Sequence, residues 1–222
     1  EAAPGQGVRG LILSGGPSVF SAGLDVPYLL TLQREDLAAA WNSFFECARS
    51  IARSPIPVAA AIGGHSPAGG CVLALCCDYR VMAQGPFRIG LNEVEVGVVV
   101  PDGIQHLLRR VVGAYRAERL MVSGAMVESA AALAINLVDE ITEVEHVTLR
   151  ARIWLEELLT KPSAPMLATR RLARADLVAA LDDPQRMRID RFIDDWFSPE
   201  TQAVLQGMVA RLKAGKAAGK PA

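Results

Sequence analysis

One short segment of the chain, Pro57–Ile62, contains only apolar residues over the length of a β-strand. A strand without polar alternation is typical of a sheet that is covered on both faces, because each face must then be withdrawn from water. A second strand-length segment, Val8–Ser14, comes earlier, and the intervening Leu32–Ser54 has apolar residues at the spacing of one helical face. Buried strands separated by helices predict an α/β fold.

The rest of the chain extends this pattern and then becomes mainly helical. We predict further strands at Tyr79–Ala83, Arg88–Leu91 and Leu137–Ile141, and helices at Cys71–Cys77, Ala114–Val122, Ser129–Ala134, Val147–Thr160, Ala164–Leu181 and, with a break at Ser198-Pro199, Arg186–Leu212. These segments divide the chain into an α/β core over residues 1–141, a helical C-terminal region over residues 142–213 for packing and oligomerisation, and a flexible tail over residues 214–222.

Composition and charge exclude several classes of protein. Hydrophobic residues make up 51% of the chain and charged residues 21%, which excludes general disorder. The formal net charge of −1 argues against a globally basic nucleic-acid binder, and no apolar run approaches the roughly 18 residues of a membrane helix. We therefore expect neither nucleic acid nor a membrane among the partners.

The four cysteines give no indication of a metal site. Cys47, Cys71, Cys76 and Cys77 form no C-x-x-C pair, and the chain has only three histidines. The simplest interpretation is reduced thiols in a cytosolic protein. The first residues also show no secretory signal, so we expect a cytoplasmic protein without a metal.

Two familiar patterns occur without the context that their chemistry needs. Residues 5–10 match G-x-G-x-x-G, but these glycines precede a strand, whereas a dinucleotide site needs them between a strand and a helix. His65 and Ser66 are adjacent, but the chain lacks the G-x-S-x-G turn of an α/β-hydrolase serine. Neither site is therefore expected.

Two glycine-containing turns each follow a predicted buried strand. The first is FSAGLD at Phe20–Asp25, and the second is SPAGGC at Ser66–Cys71. Small residues let a ligand approach the backbone, and N–H groups at the start of a helix have no intrahelical acceptor. Two such groups that converge on one point would form an oxyanion hole. The spacing alone leaves two ordinary tight turns as the alternative.

Three linked segments, FSAGLD, SPAGGCVLALCCDYRVMA and RIGLNEVEVGVVVP, resemble the crotonase (enoyl-CoA hydratase/isomerase) superfamily, and the similarity continues through RAERLMVSG and ALAINLVDEI. PAGG and GLNE are similar more narrowly to the Δ3,Δ2-enoyl-CoA isomerase subgroup. The resemblance implies a ClpP-like spiral of ββα units with a helical C-terminal part, assembled as a homotrimer or homohexamer. The family fold also has an N-terminal portion before the strand that Val8–Ser14 matches, and this sequence is expected to lack it.

The resemblance also implies a set of catalytic groups. The backbone N–H groups of Ala22 and Gly69 match the two oxyanion donors that bind the thioester carbonyl of an acyl-CoA. Family hydratases use two glutamates: Glu93 matches one, and Val72 stands at the position of the other. A single carboxylate suits an isomerase, since moving a double bond from C3 to C2 needs one base that takes a proton from C2 and returns it to C4. No cofactor is expected, because coenzyme A is part of the substrate.

Several assignments stay open from the sequence. Glu95 competes with Glu93, because residues two apart in an extended segment face the same way, and the motif match favours Glu93. Asp25 is either a substrate contact or a helix cap. The residues predicted to bind substrate are Leu24, Asp25, Val72, Leu91 and Pro101.

The predicted function is therefore an acyl-CoA isomerase of fatty-acid β-oxidation, located in the cytoplasm or, in a eukaryote, in the mitochondrial matrix. One alternative is an enoyl-CoA hydratase or another crotonase-type enzyme with an unrecognised second acid. Another is a non-catalytic acyl-CoA-binding protein on the same scaffold, since fold alone does not fix function.

Overall fold

A four-stranded parallel sheet lies at the centre of the α/β part of the molecule. The computed structural model describes residues 4–16 and 18–217. Its strands are β1 (Leu11–Ser14), β2 (Val58–Ile62), β3 (Ser66–Pro67), β4 (Tyr79–Ala83), β5 (Arg88–Gly90), β6 (Val127–Glu128) and β7 (Glu140–Thr142). The central sheet has the order β1-β2-β4-β7 with all pairs parallel, and a smaller sheet has the order β3-β5-β6.

Helices surround these sheets and make up most of the C-terminal region. The α-helices of the described residues are α1 (Val26–Leu29), α2 (Arg34–Ala52), α3 (Gly69–Leu75), α4 (Asp102–Val112), α5 (Ala114–Val122), α6 (Ser129–Ala134), α7 (Val147–Leu158), α8 (Ser163–Ala173), α9 (Ala175–Asp182), α10 (Pro184–Met187), α11 (Ile189–Trp196) and α12 (Pro199–Ala217). No helix in this part of the chain has both the length and the apolar character that crossing a membrane requires.

Both faces of strand β2 are buried, as its uninterrupted apolar sequence predicts. Ala60 and Ile62 pack on one face in the main core, which includes α3 and α4. Ala59 and Ala61 pack on the other face in the same cluster as Leu155 of α7. A polar side chain at any of these positions would lose its water without gaining a hydrogen-bond partner. The apolar sequence of β2 therefore allows both faces of the sheet to be covered.

Some predicted elements differ in the structure. The helical segment predicted over Arg186–Leu212 has a further break at Arg188, whose φ of +38° separates α10 from α11, and the strand predicted at Val8–Ser14 starts only at Leu11.

The prediction of one helix over Ala164–Leu181 is wrong, because the chain leaves helical geometry at Arg174 and forms α8 and α9 instead. The strand predicted at Leu137–Ile141 starts only at Glu140. Leu137 is buried but lies just after Asn136, whose φ of +63° turns the chain before the strand begins.

A buried ionic cluster attaches the C-terminal helices to the sheet. Asp78 accepts two hydrogen bonds of 2.8 Å from the guanidinium of Arg170 and one of 3.0 Å from Arg174. The same carboxylate accepts the backbone N–H of Val58 at 2.7 Å. Since Asp78 lies just before β4 and Arg170 in α8, the cluster joins the α/β core to the helical region.

The start of the last helix agrees with its sequence signal. Ser198 accepts the backbone N–H of Thr201 through its Oγ at 3.2 Å, and Pro199 occupies the first helical position. The helix runs to Ala217, so residues 214–217 of the predicted tail have helical backbone. Residues 218–222 lie outside the described residues.

Candidate active site

The loop after β1 lies directly against the segment after β2. Val19 and His65 form a parallel β-bridge beyond the ends of the two strands. The N–H of Phe20 donates to the carbonyl of His65, and the N–H of His65 donates to the carbonyl of Ser18, both at 2.9 Å. Because β1 and β2 are parallel neighbours, their carboxyl ends meet at one edge of the sheet, and this bridge holds the two following turns together.

Close backbone contacts explain the glycines of both turns. A Cβ atom on Gly70 would lie 1.9 Å from the carbonyl oxygen of Ser21, and one on Gly69 would lie 2.8 Å from the Cα of Gly23. Gly23 itself has a φ of +80°, which disfavours any residue with a side chain. The glycines in SAGLD and PAGG therefore let the two turns touch.

The predicted oxyanion donors, Ala22 and Gly69, belong to these touching turns. Neither backbone N–H donates a hydrogen bond to any residue that the structure describes. Gly69 is the first residue of α3, where N–H groups have no intrahelical acceptor. The preceding Ala68 has a φ of +43°, although it is not a glycine. Such backbone strain costs on the order of 1–3 kcal/mol and is concentrated at functional sites.

An apolar cavity of about 70 Å³ opens onto both turns. Its lining includes both donor residues and side chains from α2, α11 and the segment before α4. The lining residues are Ala22, Leu24, Val26, Trp41, Phe44, Phe45, Ala68, Gly69, Val72, Glu93, Val96, Val98, Pro101, Ile104, Phe192, Trp196 and Leu205.

Among the described residues that line this cavity, Glu93 alone has an ionisable side chain. Its Oε2 atom is buried and has no hydrogen-bond partner within the described part of the chain. Burial is the main cause that raises the pKa of the carboxyl from its ordinary value of 4.5 to about 7. A carboxyl group with this pKa can both accept and return a proton near neutral pH.

The structure separates Glu93 from its competitor Glu95. The expectation that both side chains face the same way is wrong, because Glu93–Val96 forms a 3-10 turn rather than an extended segment. Gly97 ends the turn with a φ of +74°. Glu95 is exposed and its Cγ lies against Gly124, outside the cavity lining.

The predicted substrate contacts divide into two groups. Leu24, Val72 and Pro101 line the cavity together with Glu93 and the two donors. The structure does not bring Asp25 and Leu91 to the cavity. The Asp25 carboxylate accepts the N–H of Tyr28 at 3.3 Å and caps α1, and Leu91 is fully buried in the main core.

A cluster of aromatic side chains in the cavity wall was not predicted as part of the site. Trp41 lies at its centre, with ring centroids of Phe192 at 4.5 Å and Phe45 at 5.8 Å. Helical spacing places Trp41 and Phe45 on the buried face of α2, but no sequence signal distinguishes a face that fills the core from one that lines a cavity. Phe192 comes from α11, more than a hundred residues away along the chain.

The described residues contain no group of three or more His, Cys, Asp or Glu side chains that could hold a metal ion. Burial raises the pKa of Cys71, Cys76 and Cys77 well above the ordinary range of a thiol. These thiols are therefore protonated at neutral pH and unsuited to act as nucleophiles or metal ligands.

Comparison with known proteins relates most of the chain to one family. A family model described as enoyl-CoA hydratase/isomerase matches residues 2–211. The mouse protein named enoyl-CoA delta isomerase 1, mitochondrial, is 33% identical over 213 residues, which cover 95% of this chain and 74% of that protein. A protein of Mycobacterium avium named probable enoyl-CoA hydratase echA17 is 32% identical over 182 residues, or 82% of this chain and 69% of that protein.

Solved structures show the same relationship. The crystal structure of human mitochondrial delta3-delta2-enoyl-CoA isomerase superposes with a TM-score of 0.88 at 31% identity, covering 94% of this chain and 82% of that chain. The crystal structure of enoyl-CoA hydratase EchA3 from Mycobacterium ulcerans gives a TM-score of 0.78 at 27% identity, covering 88% of this chain and 83% of that chain. The α/β crotonase fold expected from the sequence resemblance is thereby confirmed.

Proposed function

The chain belongs to the enoyl-CoA hydratase/isomerase family, and we propose that it is an isomerase that converts a 3-enoyl-CoA into the conjugated 2-trans-enoyl-CoA. One observation carries this proposal. A single carboxyl group, that of Glu93, lines the same apolar cavity as the two donor residues Ala22 and Gly69, among the residues described. Movement of a double bond by one position needs one base and a stabilised enolate, and these groups supply both.

The reaction begins with binding of the thioester carbonyl. Its oxygen accepts hydrogen bonds from the backbone N–H groups of Ala22 and Gly69, and this interaction makes the protons on C2 more acidic. The Glu93 carboxylate takes one C2 proton, and the electron pair moves onto the carbonyl oxygen as an extended enolate. Each donor is worth about 3 kcal/mol to such a transition state, because it is already in place before charge develops.

Return of the proton completes the reaction. The protonated Glu93 gives its proton to C4, the negative charge leaves the carbonyl oxygen, and the double bond then joins C2 to C3. The pKa of about 7 that burial gives Glu93 suits both steps, since the group must hold the proton between them and release it again. The apolar wall around the carboxyl also keeps water from quenching the intermediate.

Hydration of a 2-enoyl-CoA is the second candidate, because the similar M. avium protein is named a probable hydratase. Adding water requires a group to activate it and a group to protonate the substrate, which is easier with two acids or bases. Val72 stands at the position where the family resemblance implies a second glutamate, and its side chain faces the cavity as an apolar one. This residue favours the isomerase.

A direct assay distinguishes the candidates. The purified protein is incubated with 3-butenoyl-CoA and 3-hexenoyl-CoA, and the conjugated product is followed by its ultraviolet absorbance. Crotonyl-CoA is tested in parallel for the loss of absorbance that hydration causes. We expect isomerisation to be much faster than hydration. Equal or faster hydration would favour the hydratase, and thioester binding without turnover would favour a binding protein.

We also propose that the protein acts in fatty-acid β-oxidation as a homotrimer or a dimer of trimers, in the cytoplasm or in the mitochondrial matrix. Tyr115 and Val122 lie two turns apart on one face of α5 and are each more than 70% exposed in the single chain, which supports burial of this face by other copies. Sedimentation equilibrium should give three or six chain masses. A monomer at assay concentration would contradict the proposed assembly.

A further inference from the structure

Phe192 and Pro101 line two different cavities. The first is the cavity of about 70 Å³ that contains Glu93. The second has a volume of about 240 Å³ and is lined by parts of residues 99–105 and 185–195. Because the same two residues contribute to both linings, they form the wall between the cavities.

The first cavity is small for an acyl chain. An engineered protein cavity of about 150 Å³ accommodates benzene, which has six carbon atoms. A cavity of about 70 Å³ therefore encloses about three carbon atoms. With the thioester carbonyl held between Ala22 and Gly69, this space contains C2 to C4 and little beyond them.

Phe192 is held firmly in the wall. Its side chain is only 5% exposed, and its ring packs edge-on against Trp41 with centroids 4.5 Å apart. Phe45 and Trp196 complete the cluster around Trp41. A change of rotamer would break these contacts, so the packing against Trp41 and Phe45 favours the orientation in which the ring separates the cavities.

The second cavity is suited to an apolar chain end. Val100 and Met187 contribute apolar surface, and Val99 is 53% exposed, so the cavity reaches the molecular surface. The charged residues of its lining lie in ion pairs: Arg186 with Asp102 at 2.7 Å, Arg188 with Asp190 at 3.3 Å, and Arg191 with Asp195 at 4.0 Å. An acyl chain that passed the wall would therefore continue toward solvent without meeting an unpaired charge among these lining residues.

We propose that Phe192 limits acyl-chain length by closing the catalytic cavity, so that the substrate class is short-chain acyl-CoA. The choice of acyl-CoA as the ligand rests on the proposed isomerase function, whereas the limit on chain length concerns binding alone. Removal of the Phe192 ring would join the two cavities and admit longer chains. Phe192 is thus a specificity-determining residue, not a catalytic one.

The test compares the dissociation constants of two saturated acyl-CoAs, butyryl-CoA and decanoyl-CoA, by calorimetry. In the wild type we expect decanoyl-CoA to bind no more tightly than butyryl-CoA. In Phe192→Ala the affinity for decanoyl-CoA relative to butyryl-CoA should rise about tenfold or more, because several methylene groups gain apolar contacts. Phe192→Leu keeps most of the buried apolar volume and should show a smaller rise, so it carries the test if the alanine variant does not fold.

Phe45 provides the matched control. It belongs to the same aromatic cluster and lines the first cavity but not the second. Phe45→Ala and Phe45→Leu should raise the decanoyl to butyryl ratio clearly less than the corresponding Phe192 variants, because they enlarge the first cavity without opening it to the second. The ratio is measured within each variant, so a loss of folded protein affects both ligands equally.

Three results would overturn the proposal. The first is a wild type that binds decanoyl-CoA far more tightly than butyryl-CoA, and the second is an unchanged ratio in the folded Phe192 variants. The third is an equal rise in the Phe45 variants, which would assign the effect to general loosening of the cluster. The reaction and the length limit can fail separately. Absence of turnover with 3-butenoyl-CoA would reject the proposed reaction, whereas the binding ratios alone test the length limit.

Discussion

Gly23 and Gly69 contact each other backbone to backbone: a methyl group on Gly69 would lie 2.8 Å from the Cα of Gly23. The two residues come from turns that follow different strands, β1 and β2. Gly23 follows the proposed oxyanion donor Ala22, and Gly69 is itself the second proposed donor. The distance between the donors therefore depends on two residues that carry no side chain. Any added atom must separate the turns or distort one of them.

We predict that Gly23→Ala lowers kcat about 100-fold, which is the effect of losing one well-placed oxyanion donor. The new Cβ would lie 3.1 Å from both the N and the Cα of Gly69, at a φ of +80°. Steady-state kinetics, corrected for the folded fraction, measures the effect. Gly16→Ala is the control, because a Cβ there meets its nearest atom at an ordinary 3.8 Å. Equal activity in both variants would contradict the role of the contact.

We predict that Glu93→Gln lowers isomerase activity at least about 1,000-fold, because an amide cannot take up the C2 proton. Glu95→Gln is the matched control, since Glu95 lies in the same 3-10 turn but is exposed and outside the cavity. It should retain nearly full activity. Calorimetric binding of a saturated acyl-CoA should persist in both variants. Substantial turnover by Glu93→Gln would remove Glu93 from the mechanism.

The raised pKa of Glu93 predicts a pH-dependent difference in stability. The folded chain holds the proton up to about pH 7, whereas an unfolded chain releases it near 4.5, so the wild type loses stability as the pH rises between these values. The glutamine side chain of the Glu93→Gln variant does not titrate in this range. The free energy of unfolding of the variant minus that of the wild type should therefore rise by about 2–3 kcal/mol between pH 5 and pH 8.

Denaturant unfolding at the two pH values measures this difference. Glu95→Gln again serves as the control, because Glu95 is exposed and lies outside the cavity. A difference between Glu93→Gln and the wild type that is the same at both pH values would mean that the Glu93 carboxyl is solvated in solution. The same carboxyl that the proposed reaction uses is thus expected to destabilise the folded protein at neutral pH.

The attachment of the helical region gives a prediction independent of catalysis. Asp78→Ala should lower the free energy of unfolding by about 3–5 kcal/mol, because it leaves the buried guanidinium groups of Arg170 and Arg174 without a partner. Glu128→Ala removes the exposed ion pair with Arg88 and should cost less than about 1 kcal/mol. Chemical denaturation measures both. Similar small losses would show that the buried cluster is not important for stability.

Local sequence signals determine much of the fold. The helix predicted at Ala114–Val122 has the same bounds in the structure, because Gly113 and the Ser123-Gly124 pair flank it. The strand predicted at Tyr79–Ala83 also has its predicted bounds. The break at Arg174 could not be predicted, because the side chain is drawn to Asp78 by tertiary packing rather than by any helix-breaking neighbour.

The candidate site was predictable only in part, for a similar reason. Glycine-rich turns and the family resemblance indicated Ala22, Gly69 and Glu93, and the structure brings all three to one cavity. The expected orientation of Glu95 is wrong, because residues 93–96 form a 3-10 turn rather than an extended segment. The Phe192 wall had no local signal, since it arises where α11 packs against α2.

Transfer of one proton from C2 to C4 by a single carboxyl group is the central claim, and isotope labelling tests it most directly. The substrate is 3-butenoyl-CoA carrying two deuterium atoms on C2, and the product is analysed by mass spectrometry and nuclear magnetic resonance. Because the Glu93 carboxyl is buried, we predict that a substantial fraction of the crotonyl-CoA carries one deuterium in its C4 methyl group. Rapid turnover to a product whose methyl group contains no deuterium would contradict transfer by one shielded carboxyl, because the proton on C4 would then come from solvent or from a second donor.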